Sequence, residues 1–314
     1  MIFGKLPPPI GGVTRHIQRL QEHLEHDNIK FISIDRSVIA ICKAMFQYDV
    51  FHIHFSNAIA QYLITTVASV LSKTTILTIH RDLDRYRGVR KWMNRKSINL
   101  STLPIVLNDR SLEIARSLHS GAERLTSFIP PTQIGDLKEC YHNKIVKLRN
   151  RAKHVFCTNA YDFAIDNNEN EIYQISTLVK LFSNLPEVGL IISDPSGHNY
   201  TYCQCNNVTI SENILFITEP HDFIPVLKSS DTLIRCTTTD GDSISVREAL
   251  YFQKPVIASD VTDRPEGCTL FDMSDTEALK NIIVSFDQTP RDINKQENAY
   301  HRLREIYQAY GVNT

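Results

Sequence analysis

The chain has 314 residues, 42% of them hydrophobic and 22% charged, an ordinary globular balance with room for two domains. No apolar run reaches the roughly 18 residues needed to span a membrane, no signal-peptide pattern opens the chain, and seven scattered cysteines fit no disulfide framework, so a cytosolic protein with reduced thiols is expected. Net charge is −1, yet residues 1–150 carry 21 basic to 12 acidic side chains and residues 151–314 carry 13 to 23, which suggests two domains with different surfaces to serve.

Apolar strand-like runs alternate with helical patterns almost throughout, the signature of parallel α/β sheets covered on both faces. In the first half they predict strands at 1–3, 30–34, 50–54, 75–80, 104–107 and 124–129, with helices such as 13–25 and 58–71 between them. A basic, non-periodic stretch at 148–154, LRNRAKH, reads as the break. The second half restarts with a strand at 155–159, a helix at 171–184, and strands at 188–192, 214–217, 232–235 and 255–259. The final segment, 295–310, sets Tyr300, Leu303, Ile306, Tyr307 and Tyr310 on one helical face.

The densest chemistry lies at 240–248, DGDSISVRE, between the strands at 232–235 and 255–259. Asp240 and Glu248 stand eight positions apart around the start of a short helix. Ser243, Ile244 and Ser245 would present backbone N–H groups and short hydroxyls there, the chemistry that holds a phosphate at a helix N-terminus. A carboxylate further along can accept hydrogen bonds from sugar hydroxyls, so the segment proposes a nucleotide-sugar site. His80 ends a strand in TIHRD, at the edge where ligands of open parallel sheets collect. His52 and His54 share one face of FHIHF, and a core or cleft-lining role is expected of them over metal binding.

DGDSISVRE, continued by ALYFQKPVIASDVTDRPEG, resembles the acid-x7-acid motif of the retaining GT-B glycosyltransferases of family 4. Asp240 stands where that family has Glu, and Glu248 is the second acid. The opening GKLPPPIGGVTRHIQRL is similar to the family's strand, Pro-containing turn, paired glycines and helix. SVREAL followed by PVIASDVTDRPEG looks closest to a subgroup acting in bacterial surface-polysaccharide and O-antigen assembly.

This resemblance implies two doubly wound, Rossmann-like domains facing a cleft. Residues 1–150 would bind the acceptor, 151–294 the nucleotide sugar, and 295–314 would cross back to the first domain or else cap the second. In such an enzyme Gly11 and Gly12 let the backbone approach the donor phosphates. His80 faces the reacting sugar, Asp240 contacts the donor sugar, and Glu248 accepts the ribose hydroxyls. Asp242, Ser243, Ile244 and Ser245 complete the donor cradle. Transfer would retain anomeric configuration without a metal or other cofactor, and DGD is not read as the metal-holding Asp-x-Asp of the GT-A fold.

One departure matters. Family members offer an Arg and a Lys after the first strand of the second domain, where this chain has no Lys or Arg between Lys153 and Lys180. A leaving diphosphate needs positive partners. Arg247, then Arg264, then Arg235 are the substitutes by position, unless Arg247 points outward or Arg264 pairs with Glu266. Between Arg81 and Lys96 lie seven basic residues among Tyr86, Trp92 and Met93, a mixture that suits either an anionic membrane surface or a solvated helix. The expected activity is sugar transfer to a polyprenyl-diphosphate-linked saccharide at the inner face of the cytoplasmic membrane. The alternatives are a silent nucleotide-sugar-binding partner or a sugar-nucleotide epimerase. No nucleic-acid motif accompanies the basic half, so no nucleic-acid partner is expected.

Overall fold

The computed structural model describes residues 1–7, 11–25, 27, 29–33, 38–55, 57–287 and 297–312. The proline turn at 8–10, Ile34 of the second expected strand, and the first two residues of the expected C-terminal helix lie outside them. The chain divides into two compact units, Met1–Thr132 with Glu297–Thr314, and Gln133–Gln296.

The first unit opens with β1 (Ile2–Gly4), α1 (Gly12–His23), β2 (Phe31–Ser33) and α2 (Val38–Gln47). It continues through β3 (Val50–Ile53), α3 (Ala58–Val70), β4 (Thr74–Ile79) and α4 (Gly88–Leu100). Then come β5 (Leu103–Val106), α5 (Asp109–Arg116) and the short β6 (Glu123–Arg124). Asn57 caps α3 by accepting from the N–H groups of Ile59 and Ala60, and Asn108 caps α5 through Ser111. All strands pair in parallel, in the order β2-β1-β3-β4-β5-β6. The direction of winding therefore reverses between β1 and β3.

The second unit runs α6 (Glu139–Arg151), β7 (His154–Asn159), α7 (Ile175–Ser183), β8 (Val188–Ser193) and α8 (His198–Cys205). It goes on through β9 (Ile214–Ile217), α9 (Phe223–Lys228), β10 (Thr232–Arg235) and α10 (Ile244–Tyr251). It closes with β11 (Val256–Ser259), β12 (Cys268–Phe271) and α11 (Thr276–Val284). Its parallel order is β12-β11-β10-β7-β8-β9, with the reversal between β7 and β10. β8 is buried at every position, as a strand covered on both faces must be. Its Leu190 and Ile192 join the core on one face, while Ile191 joins that on the other.

Three differences from the sequence reading have physical reasons. The basic stretch at 148–154 is no linker: Tyr141, Ile145 and Leu148 on α6 pack with Val155, Ile191 and Leu227, and the units divide earlier, at 132/133. The expected strand at 124–129 stops at Arg124 because later carbonyls serve helices instead. Ser127 O accepts from His16, Ile129 O from Arg19 of α1, and Phe128 O from the N–H of Ala299. β12, unpredicted, is an edge strand pairing only with β11.

The last helix, α12 (Ala299–Ala309), belongs to the first unit. Its Ala299, Leu303, Ile306 and Tyr307 are buried with Ile2, Leu20, Ile76 and Ile105. Tyr300 and Tyr310, placed on that same face by their spacing, are partly buried there.

Candidate functional site

Chemistry collects at both winding reversals, the positions where an open parallel sheet offers ligands a crevice beyond its strand ends. In the second unit, Arg235 is the last residue of β10 and its guanidinium lies 3.3 Å from the carbonyl of Asn159, the last residue of β7. Arg235 Nε and Nη2 donate to the two Asp240 oxygens at 2.8 and 3.0 Å, a bidentate pair. Arg264 Nη1 donates to Asp240 Oδ2 at 2.8 Å, and its Nε to the Ser259 carbonyl at 3.1 Å. The Tyr173 ring covers Arg235, 5.1 Å from centroid to guanidinium carbon. These groups are nearly dry, with side-chain exposures of 9% for Arg235 and Asp240 and 2% for Arg264.

Burial alone would raise the Asp240 acid, but the charges and hydrogen bonds of Arg235 and Arg264 outweigh it and bring it down to about 2. Arg247, far from pointing outward, is buried on α10 and donates through Nε to Asp242 Oδ1 at 2.8 Å. Glu248, one residue on, is also buried. Ser243 is the N-cap of α10 and its hydroxyl lies 3.1 Å from that of Ser245, so it does not cap the helix's own N–H groups. By helical geometry the leading N–H groups, Ile244 among them, have no intrahelical acceptor and face outward along the axis. Gly241 has open space where a side chain would stand and no positive φ, so nothing in the protein's own packing demands glycine there.

In the first unit the corresponding reversal lies between β1 and β3. Gly11 is the extended N-cap of α1, exchanging hydrogen bonds with the Thr14 hydroxyl at 2.9 and 3.0 Å, and Gly12 starts the helix. Among the described residues, a side chain at Gly11 would meet Thr14 Oγ1 alone, at 4.0 Å. The glycine that packing does require is Gly4, where a Cβ would overlap Ile17 and stand 3.1 Å from its Cγ1.

Beside these glycines four imidazoles gather. His54, just beyond β3, places Nδ1 3.0 Å from Nε2 of His80, just beyond β4. The ring of His16 on α1 lies 5.1 and 5.3 Å from theirs, and the His52 ring packs on His54 at 3.9 Å, tilted by 44°. His52 is tied on both sides, to the Tyr307 hydroxyl at 2.6 Å and the Thr78 hydroxyl at 2.7 Å. Burial, then neighbouring imidazoles, depress His52, His54 and His80 well below the usual histidine range, so the rings are neutral. His80 was picked out by its strand end. His16 was not, because a histidine inside TRHIQRL carries no positional signal until α1 is folded against β3.

No protein-family model matches the chain, and no curated protein sequence does. Solved structures do. HepE from Anabaena in complex with UDP has a TM-score of 0.69 at 12% identity, over 98% of this chain and 99% of that one. The lipopolysaccharide outer core galactosyltransferase WaaB has a TM-score of 0.59 at 13% identity, over 98% of each chain. UDP-GlcNAc 2-epimerase from Methanocaldococcus jannaschii has 0.57 at 14%, over 99% of each. The fold is GT-B. At such low identities the likeness establishes architecture alone.

The surface expected at 81–96 is partly rearranged. Tyr86 lies in the core, 4% exposed, beneath Arg81. Trp92 is half exposed and packs on Tyr62 of α3, with Arg90, Lys91, Arg95 and Lys96 exposed around it on α4. Ile59, Leu63, Val67 and Val70, at helical spacing along α3, are exposed as well, a stripe the sequence reading passed over. No described helix is long and apolar enough to cross a membrane.

Proposed function

We propose that the chain is a glycosyltransferase that takes a sugar from a UDP-sugar, bound by the second unit at the 240–248 block. The observation that carries this reading is the cluster at the β7/β10 reversal. Open helical N–H groups, an unfilled position at Gly241, the buried carboxylate of Glu248 and a dry store of arginines meet at the crevice edge. UDP is named because HepE, of like fold, is described in complex with UDP and with UDP-glucose.

In this reading Ser243, Ile244 and Ser245 hold the diphosphate, Glu248 takes the ribose hydroxyls, and Asp240 and Asp242 hold the arginines in place. Arg247 turns from Asp242 toward the leaving diphosphate, whose greater charge outcompetes one carboxylate, while Arg235 and Arg264 remain a fixed positive background. His80 offers its second nitrogen, Nδ1, to the sugar, since Nε2 is turned to His54. Gly11 and Gly12 leave room for phosphate oxygens. Transfer retains configuration, and a saccharide on a polyprenyl diphosphate is the acceptor; WaaB, of like fold, is a lipopolysaccharide outer core galactosyltransferase. The basic α4 and the apolar stripe of α3 would rest on an anionic bilayer. Vesicles containing an anionic lipid should pellet the wild type and release a Trp92→Ala, Leu63→Ser double variant; equal pelleting would remove the membrane from the proposal.

The likeness to an epimerase supports a second reading, in which carboxyl groups shuttle a proton. Asp240 suits that poorly, because an acid at about 2 holds no proton near neutrality. The deciding experiment is a thermal-shift panel of nucleotide sugars on the wild type, Glu248→Ala and Arg247→Ala, followed by turnover. A UDP-sugar should raise the wild-type midpoint, Glu248→Ala should lose the shift, and Arg247→Ala should lose turnover far more than stability. Acceptor-dependent UDP release marks the transferase; an altered sugar without UDP release marks the epimerase. If no nucleotide sugar stabilises the wild type, the proposal fails.

A further inference from the structure

The imidazoles beside β1 and β3 do more than fill a core. One ring nitrogen from each of His16, His54 and His80 lies within 4.8 Å of the others, the one such group of potential metal ligands among the described residues. Two ligands held roughly 2.0–2.1 Å from a tetrahedral zinc ion sit about 3.4 Å apart; His54 Nδ1 and His80 Nε2, 3.0 Å apart, are slightly closer than that, and the third nitrogen is within 4.8 Å of both, a gap for side-chain rotation to close.

The hydrogen bonds around the cluster set up the ligating nitrogens. His16 Nδ1 lies 2.7 Å from the Ser127 carbonyl, which can only accept, so Nδ1 is the donor and Nε2 is the nitrogen left to ligate. A backbone carbonyl in that position is the usual support for a metal-binding histidine. His54 Nε2 is buried without a hydrogen-bond partner, so the ring is held only through Nδ1, the nitrogen that faces His80. His52, with both nitrogens engaged, is the wall against which His54 packs and is not a ligand.

We propose that His16, His54 and His80 bind one transition-metal ion of the zinc class, leaving a fourth position for water. The ligand set is three neutral imidazoles, which suits Zn2+, Cu2+, Ni2+ or Fe2+ and not Mg2+ or Ca2+. Binding replaces the hydrogen bond between His54 and His80; the proton shared there moves to the far nitrogen of the ring that held it, so none is released. The ion would pin α1 to the ends of β3 and β4, and His80, the partly exposed member, opens the fourth position to solvent. All three ligands belong to the first unit, so metal binding is measured without a donor present.

The test uses the full chain without a histidine tag, stripped by chelator and titrated with Co2+. One Co2+ per chain, with the visible bands of tetrahedral coordination and displacement by Zn2+, is the expected result. His80→Ala, whose partly exposed position keeps folding intact, should weaken Co2+ binding by more than about 100-fold, and His301→Ala, an exposed histidine elsewhere, should leave it unchanged. His16→Ala should behave like His80→Ala. Folded wild type that takes up no stoichiometric Co2+, or a His80→Ala variant that binds as the wild type does, overturns the site.

Discussion

The two units put their chemistry at the same topological place and build it from opposite materials. At the β1/β3 reversal the polar groups are imidazoles, those of His52, His54 and His80 held neutral by burial, joined to hydroxyls and carbonyls. At the β7/β10 reversal they are charges, with Arg235 and Arg264 on Asp240 and Arg247 on Asp242. A neutral cluster can be assembled by burial alone, since each ring loses its proton when water is removed. Buried arginines cannot shed theirs, so each must be matched by a carboxylate. Asp240 and Asp242 are therefore partners to the cations of this cluster.

That difference is sharpest on deleting one partner from each side. Asp240→Ala strands two buried guanidinium groups and should cost about 3–5 kcal/mol in the second unit, read from its transition in calorimetry or urea unfolding. His52→Leu leaves the buried hydroxyls of Tyr307 and Thr78 without their ring and should cost about 1–3 kcal/mol in the first unit. Equal losses would mean that the charged cluster is better hydrated than its burial implies, and the contrast would collapse.

Acid separates charge from packing within the second unit. Asp240 has its acid lowered in the folded state, so its contribution is present above the unfolded value near 4 and is lost as pH falls through about 2. On the order of 2 kcal/mol should disappear from that unit across this window, and Asp240→Asn should flatten the dependence. An unchanged slope in Asp240→Asn would assign the acid sensitivity to other carboxylates.

How much of this was legible beforehand follows from what each feature depends on. Strands such as β8 and β10 announce themselves through the apolar residues at their centres, Leu190–Ile192 and Leu233–Ile234, and β10 was read at its observed bounds, 232–235. The 240–248 block was visible because its residues are adjacent in sequence. The ion pairs inside it were not, since Arg264 meets Asp240 across 24 residues and only the fold brings DRPEG back to the end of β10. His16 was missed for the same reason. α6 was lost to its surface: the cations of 144–151 hide an apolar face of Tyr141, Ile145 and Leu148 that a charge count cannot see. β6 was overextended because an apolar run does not reveal that its carbonyls will be claimed by His16 and Arg19.

The smallest expected effect is the one that best distinguishes glycines kept for packing from glycines kept for a ligand. Gly4→Ala forces a methyl into Ile17 between β1 and α1, and overpacking of this kind should cost about 1–3 kcal/mol. Gly241→Ala places a methyl in open space and Gly11→Ala one that, among the described residues, touches only Thr14 Oγ1 at 4.0 Å; neither has a positive φ, and each should change stability by no more than about 0.5 kcal/mol. If phosphate oxygens approach the backbone at these two positions, both variants should nevertheless bind UDP at least several-fold more weakly in calorimetric titration. Gly4→Ala, once folded, should bind it normally. Undiminished UDP affinity in Gly241→Ala would show that this loop is open for a reason other than the diphosphate, and would move the donor cradle onto the N–H groups of α10 alone.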